Sequence, residues 1–326
     1  MNTPNNNKWK EFLLKSGLPL EFEVKKVLDK SGFWTKNEFS YLRKNENEVL
    51  TEFSFDLDAE ILIKDNLFEL LVECKYRDES TNWLFIPEEY NDSTRGIGTT
   101  DFLNTNAFFY TKKYFDLHYT MLNIIKVAPL CSKGIEITTT GNNPKSIDQA
   151  IAQLSYGIVD KVILAMERQL SDDDYFHLIY HHVPIVITTA NLFKLKKNTS
   201  INSIKNASQI SDLATAYDIL LIEPSSSLDL KNYAYKKLND FEEKYSKKYL
   251  NERLDKKFKE RGRDFEYYKN EISGFPNGIL IVNHALISKA LKKLLLAFNE
   301  IAQPSQNLKN QLSKLSHDIS AVINNI

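Results

Sequence analysis

The stretch FSFDLDAEILIKDNLFELLVECKY, residues 53–76, decides the fold. Apolar and polar residues alternate over residues 52–63, which is the pattern of a half-buried strand. Turn-forming residues follow at 64–66, and a second, more apolar run covers residues 67–76. Two such runs around a short turn predict an antiparallel β-hairpin.

The second strand ends with Glu73 and Lys75, whose side chains share a face because side chains alternate along a strand. If residues 65–66 form the turn, Asp58 lies opposite Glu73 and Asp56 lies opposite Lys75. A shifted turn would bring Asp56 to Glu73 instead. Asp58 is therefore the preferred partner of Glu73, and Asp56 is the alternative.

This cluster has a chemical use. Oxygen ligands from two carboxylates bind Mg²⁺, which polarises a phosphodiester and helps to generate the attacking hydroxide. A neighbouring lysine, here Lys75, can orient the water or neutralise developing negative charge. The sequence thus predicts Asp58 and Glu73 as metal ligands, with Asp56 as the alternative to Asp58. The competing interpretation is a solvated strand face, where each cross-strand ion pair contributes only about 0.2–1 kcal/mol.

A helix is predicted upstream, in GLPLEFEVKKVLDKSGF, residues 17–33. Pro19 suits its first turn and Gly32 ends it. Its apolar stripe consists of Leu20, Val24, Val27 and Leu28. Glu21 and Glu23 compete as the acidic residue of this helix, and the GLPLE context favours Glu21.

The segments GLPLE, FDLDAE and LLVECKYR, in this order, resemble the PD-(D/E)XK phosphodiesterase superfamily, which has the restriction-endonuclease-like fold, and within it the Mrr-like members. The resemblance covers residues 17–77 and, more loosely, 146–192. It implies an α/β fold with a mixed central sheet flanked by helices. It also implies a catalytic set of Glu21, Asp58, Glu73 and Lys75.

Some nucleases of this superfamily carry a glutamine and a tyrosine on the helix that follows the Glu-x-Lys strand. Here the predicted helix 146–158 contains Gln153 and Tyr156. Their spacing is one residue shorter than in the recombination-nuclease pattern. Gln153 is a candidate for contact with the site, and an ordinary polar helix face is the alternative.

Two regions are predicted along the chain: a nuclease-like α/β domain at 10–200 and a mainly helical domain at 205–326. In the first, apolar runs at 161–166 and 183–190 are typical of buried strands, with a short helix at 171–182 between them. The second becomes charged and helical from about residue 231. Its tail carries a coiled-coil-like seam of Leu308, Leu312, Leu315, Ile319 and Val322, which would pair within the chain or form a homodimer.

Composition excludes few classes. The 326 residues have a formal net charge of −1, so no overall basic field points to nucleic acid, although a local cleft can be basic in a neutral protein. Two cysteines provide no disulfide framework. No apolar run reaches the roughly 18 residues of a membrane span, and the N-terminal residues contain no signal-peptide core. We expect a cytoplasmic protein without membrane contact.

The resemblance implies a nuclease that uses Mg²⁺ (or Mn²⁺) and acts on nucleic acid, DNA more than RNA, in restriction or anti-phage defence. The alternative is a catalytically inactive nuclease-fold module that binds nucleic acid or a protein partner. The presence of Asp58, Glu73 and Lys75 together favours the enzyme.

Overall fold

A computed structural model describes residues 8–44, 47–88, 102–109, 125–143, 145–171, 178–225, 227–254, 259–260 and 262–310. These residues form an α/β structure with twelve strands in one mixed sheet. The strands are β1 Trp34–Lys44, β2 Leu50–Ile63, β3 Asn66–Lys75, β4 Asn82–Pro87, β5 Asn104–Asn106, β6 Leu130–Thr138, β7 Gly141–Asn143, β8 Ile179–Thr188, β9 Asn191–Leu195, β10 Ala214–Ala216, β11 Ile219–Ile222 and β12 Ile279–Asn283.

Helices surround this sheet, and the described ones are α1 Lys8–Lys15, α2 Leu18–Lys30, α3 Lys145–Leu170, α4 Ile201–Asn206, α5 Ile210–Leu213, α6 Leu228–Tyr245, α7 Lys247–Arg253, α8 Phe265–Ile272 and α9 Ile287–Ala302. A short 3₁₀ helix, His284–Leu286, precedes α9. Within the described ranges, no helix combines the length and apolarity of a membrane span.

The strand order is β1-β2-β3-β8-β12-β11-β6-β4-β9-β10, with β5 beside β8 and β7 beside β6. The hairpin strands β2 and β3 are antiparallel, whereas β3 runs parallel to β8 and β8 runs parallel to β12. The predicted α/β class with a mixed sheet is therefore confirmed. Because β11 and β12 lie between β8 and β6, the sheet crosses the boundary predicted near residues 200–205, and the two predicted regions share it.

Two apolar layers cover the sheet. One contains the buried face of α3 together with α6, packed against Phe55 and Leu71. The other contains α2 and α9, packed against Leu57 and Val72. Strand β3 is buried along nearly its whole length because it is covered by both layers.

Helix α3 corrects two predictions. The apolar run 161–166, predicted as a strand, is the continuation of α3, which ends only at Leu170. Strand β8 begins at Ile179, so residues 179–182, the predicted end of the helix at 171–182, are the start of a strand. At Gly157, α3 approaches the sheet so closely that a Cβ would lie 2.9 Å from Phe55 Cδ1.

The C-terminal seam is only partly described. Leu308 is buried, which agrees with an apolar seam, but residues 311–326 lie outside the described part of the chain. The remaining seam positions belong to that segment. The homodimer through the C-terminal helices therefore stays a prediction.

Candidate active site at the β2–β3 hairpin

The hairpin turns one residue earlier than predicted. Ile63 pairs with Asn66, so residues 64–65 form the turn. In this register Asp58 lies opposite Leu71 and not opposite Glu73. The predicted pairing of Asp58 with Glu73 is thus wrong, although both residues lie on the hairpin.

Asp56 is the aspartate beside the end of β3. The hydrogen-bonded ladder between the two strands ends at the pair Leu57 and Val72. One step beyond, Asp56 Oδ2 accepts a hydrogen bond from the backbone N–H of Cys74, at 2.6 Å. A side-chain carboxylate thereby replaces a backbone carbonyl at the point where the strands stop pairing.

Glu73 and Lys75 form the centre of the site. Glu73 is buried, with 1% of its surface exposed. Its Oε1 atom accepts a short hydrogen bond from the Lys75 ammonium. The other oxygen, Oε2, is buried and has no hydrogen-bond partner among the described residues. Glu73 therefore keeps one inward-facing oxygen available as a ligand.

Gln153 on α3 joins this pair. Its side-chain Oε1 accepts a hydrogen bond from Lys75 Nζ at 3.1 Å, and its Nε2 donates to the backbone carbonyl of Ser54 at 3.1 Å. The amide thus connects the lysine on β3 to the backbone of β2. Gln153, the candidate for contact with the site, therefore does contact Lys75 and is more than part of a polar helix face.

Glu21 approaches from the opposite layer. It lies in the first turn of α2, whose N-cap residue is Gly17 in a left-handed conformation with φ of 83°. Burial raises the pKa of Glu21, and the negative charges of Asp56 and Glu38 raise it further, whereas Lys75 opposes them. The carboxylate of Glu21 is therefore within the electrostatic field of the hairpin site.

The three carboxylates are unfavourably crowded. Burial raises the pKa of Glu73 to about 8, and the charges of Asp56 and Glu21 act in the same direction against Lys75. Burial also raises the pKa of Asp56, although the Cys74 N–H and Lys75 oppose this shift. A bound cation would relieve this repulsion, because it favours the charged form of each carboxylate.

Asp58 belongs to a different cluster. Both of its oxygens lie 3.0 Å from Nζ of Lys161, a residue of α3 that is only 1% exposed. The same Nζ lies 2.7 Å from Glu69 Oε1, and Glu69 Oε2 lies 2.7 Å from His182 Nδ1. Asp58 is thus engaged in an internal ion network and not in the group around Glu73.

This network is electrostatically satisfied. Burial opposes the charge of Glu69, but Lys161 and His182 outweigh it and lower its pKa to about 2. Burial likewise opposes the charge of Lys161, but Glu69 and Asp58 raise its pKa. The sequence held one signal of this network, a lysine within the apolar run 161–166, which sequence reasoning missed.

The donor set around Glu73 suits a magnesium ion. Among the residues that the structure describes, no three Asp, Glu, His or Cys side chains are grouped closely enough to hold an ion as they stand. Mg²⁺, however, usually keeps several waters and takes only one or two protein carboxylates. Asp56 and Glu73 can supply these two, and the unpartnered Oε2 of Glu73 is the buried oxygen that such an ion would satisfy.

Comparisons of the chain with protein-family models, with curated proteins and with solved structures found no match. The resemblance noted in the sequence therefore rests on the chain's own residues, chiefly Glu73 and Lys75 at the end of an apolar strand. What bears on function is the geometry of these two residues with Asp56, Glu21 and Gln153.

Proposed function

We propose that the chain is a Mg²⁺-dependent nuclease that hydrolyses phosphodiester bonds at the β2–β3 hairpin. One observation carries this proposal. Asp56, Glu73 and Lys75 converge where the β2–β3 ladder ends, and Glu73 presents a buried oxygen for which the described part of the chain offers no hydrogen-bond partner. A fold gains little from burying a carboxylate oxygen in this way, because an unsatisfied buried polar group costs about 1–3 kcal/mol.

Each residue has a distinct role. Asp56 and Glu73 would hold the ion, and the ion, when bound, would polarise the scissile phosphate and lower the pKa of a bound water. Lys75 provides a positive charge beside the reacting centre, where it can orient the water or stabilise the charge that develops on the phosphate. This assignment replaces Asp58 with Asp56 and keeps the other predicted residues.

Gln153 and Glu21 are positioning residues in this scheme. Gln153 fixes Lys75 through its side-chain amide, which is itself anchored on Ser54. Glu21 adds a negative charge that favours a cation near Asp56. Holding the reacting groups in place before the substrate arrives lowers the cost of reaching the transition state.

The elements α2, β1, β2 and β3, followed after the additional strands β4–β7 by α3, resemble the order expected for a restriction-endonuclease-like core, and we include membership of that fold in the proposal. DNA in preference to RNA, and a role in restriction or anti-phage defence, follow from the sequence resemblance. The first substrates to test are accordingly plasmid, linear and single-stranded DNA, with RNA for comparison.

The experiment uses the purified full chain with these four substrates in Mg²⁺, Mn²⁺ or EDTA. We expect cleavage that requires the metal and that Asp56→Asn abolishes. Asp148→Asn is a matched control, because Asp148 is an exposed residue in the first turn of α3, and it should cleave normally. Nucleic-acid binding without cleavage under any of these conditions would contradict the proposal and favour an inactive binding module.

A further inference from the structure

A cavity of about 830 Å³ has Tyr156 in its wall, one helical turn after Gln153 on α3. It lies between the β1–β2 hairpin and helix α6. Its lining includes the cationic and aromatic residues Arg43, Lys44, Tyr156, Tyr233, Lys236 and Lys237. Glu48, Asp229 and Asp240 also line it, so the cavity is not a strongly positive surface. Any anion that it binds must therefore be recognised by hydrogen bonds from individual side chains and not by a positive electrostatic field over the whole cavity.

Two elements, β1 and α3, connect the candidate site with the cavity. On β1, Tyr41 donates a hydrogen bond from its hydroxyl to the backbone carbonyl of Gln153 at 2.8 Å, and Arg43 follows on the same face. On α3, Tyr156 follows Gln153 by three residues, which is a rise of about 4.5 Å. Strand β1 thus contacts Gln153 and α3 contains it, and both elements continue from this residue, which contacts Lys75, to the cavity wall, where Arg43 lies against Tyr156.

Arg43 is pre-organised but not satisfied. Its guanidinium carbon lies 4.0 Å from the ring centroid of Phe53 and 4.1 Å from that of Tyr156. Its Nε is buried and has no hydrogen-bond partner among the described residues. Stacking on aromatic rings fixes the plane of a guanidinium, and the planar fork matches a phosphate. The two rings thus hold a phosphate-binding group in place.

Lys236 is a second available cation. It is exposed on α6, and no ion pair to it is found within the described ranges. In contrast, Lys44 lies 2.7 Å from Glu48, and Lys237 lies 2.5 Å from Asp160. Of the four cationic residues that line the cavity, Arg43 and Lys236 are therefore the two that form no ion pair with another described residue.

We propose that this cavity binds a backbone phosphate of a single nucleic-acid strand, one or two nucleotides from the bond that is cleaved. The inference rests on the proposed nuclease function and names its substrate form. Two residues along β1 span about 7 Å, a distance on the order of one nucleotide along an extended strand. A cavity of this size falls in the range of small-ligand sites, so it admits a short length of one strand.

The experiment measures binding and cleavage separately. Binding of 5′-fluorescein-labelled (dT)12 to the full chain is followed by fluorescence anisotropy in EDTA, where metal-dependent cleavage cannot occur. Arg43→Gln combined with Lys236→Gln should weaken binding by at least about tenfold, because two charged contacts to phosphate are lost. The matched control is Lys205→Gln combined with Lys292→Gln, two exposed lysines on α4 and α9, which should change binding by less than about twofold.

Arg43 packs against two rings, so its replacement could also disturb the fold. Lys236→Glu alone avoids this problem, because Lys236 is exposed, and it should weaken binding with an unchanged melting temperature. Equal binding by the cavity variants and the control pair, or no binding of (dT)12 by the wild type, would overturn the proposal.

Cleavage distinguishes failure of the cavity proposal from failure of the nuclease proposal. If the wild type cleaves single-stranded DNA and the cavity variants cleave it with the same KM, the cavity assignment is wrong and the nuclease stands. If (dT)12 binds through Arg43 and Lys236 but no nucleic acid is cleaved, the cavity assignment stands and the nuclease function is wrong.

Discussion

Oδ2 of Asp56 lies 2.6 Å from the backbone nitrogen of Cys74, and this hydrogen bond places Asp56, and not Asp58, next to Glu73. The two aspartates are two residues apart on β2, yet their surroundings differ in kind. Asp58 is neutralised by Lys161, whereas Asp56 is near Glu73 and Glu21, whose charges repel it. Opposite consequences are expected when each aspartate is replaced.

Replacing Asp56 should remove function and spare the fold. Asp56→Asn should lose metal-dependent cleavage and tight Mg²⁺ binding, since the ion loses a charged ligand. The melting temperature should change little, because removal of a crowded negative charge offsets a weakened hydrogen bond to Cys74. Cleavage assays, Mg²⁺ titration and thermal melts on one preparation test this, and retained cleavage would show that Asp56 is not a ligand.

Replacing Asp58 should do the reverse. Asp58→Asn should destabilise the protein by about 3 kcal/mol, because it removes one partner from a buried ion network. The protein that remains folded should still cleave in Mg²⁺. Denaturant unfolding gives the free energy, and cleavage at low temperature gives the activity. Loss of cleavage with full stability would return the ligand role to Asp58.

Lys75→Ala should separate chemistry from binding. Cleavage should fall by at least about a hundredfold, while Mg²⁺ still binds, because Lys75 is assigned to the water and the developing charge and not to the ion. Single-turnover kinetics and metal titration by calorimetry measure the two effects. Lys15→Ala, an exposed lysine on α1, serves as the control and should be active. A Lys75→Ala variant that cleaves at the wild-type rate would refute the assignment.

Stability should fall as pH rises through the titration of Glu73. Its pKa is raised from 4.5 to about 8, so between these values the folded state keeps a proton that the unfolded state has lost. At about 1.4 kcal/mol per pKa unit, this loss amounts to several kcal/mol. Melting temperatures from pH 5 to 9 measure it. Glu69 has the opposite effect, because its pKa is lowered to about 2 and its stabilising contribution is lost as the pH falls below 4.5. That pH range does not overlap with the range in which Glu73 titrates.

Two comparisons assign this slope to Glu73. Glu73→Gln should flatten the pH dependence, because its amide does not titrate. Mg²⁺ should raise the melting temperature of the wild type at pH 8 more than at pH 5, since the ion binds the ionised carboxylate. An identical slope in Glu73→Gln would mean that other groups are responsible.

Gln153→Ala should lower kcat by about tenfold with little change in substrate binding, because Lys75 loses the contact that positions it. Gln149, one turn earlier on α3, provides a matched control as Gln149→Ala. Gln153→Glu should restore part of the rate, since a carboxylate can still accept the hydrogen bond from Lys75. Equal activity of all three variants would reduce Gln153 to a packing residue.

The hairpin could be predicted from the sequence, but the aspartate that faces Glu73 could not. Simple alternation would also place Phe55 and Leu57 on one face, whereas they pack in different layers. Moving the turn from residues 65–66 to 64–65 changes each cross-strand partner by two positions and leaves every side chain on the same face. Alternation in the sequence is identical for both registers. Only the packing of Lys161 on Asp58, contributed by a helix distant in sequence, distinguishes them.

Helix α3 and strand β12 show a second limit. After Lys161, the run 162–166 is apolar on all sides because α3 is covered by the sheet and by α6. A short apolar run does not distinguish a buried helix from a buried strand. Strand β12 was missed because residues 279–283 are a brief apolar stretch inside a charged, helical region. Its place beside β8 depends on contacts almost a hundred residues apart.

The position of β12 beside β8 also matters while the chain is being synthesised, because β12 is made about a hundred residues after β8. Strand β8 has β3 on one side, and on the other side it pairs with β5 at residues 180–182 and with β12 at residues 185–188. Before β12 is made, the second half of that edge therefore lacks the strand that covers it among the described residues. An open apolar edge in the middle of a sheet invites pairing with other chains. A nascent chain that stops near residue 200 would carry Asp56, Glu73 and Lys75 but not the strand that covers the edge behind them. A chain that ends before β12 should therefore expose this part of the edge of β8 and aggregate more readily than the full chain.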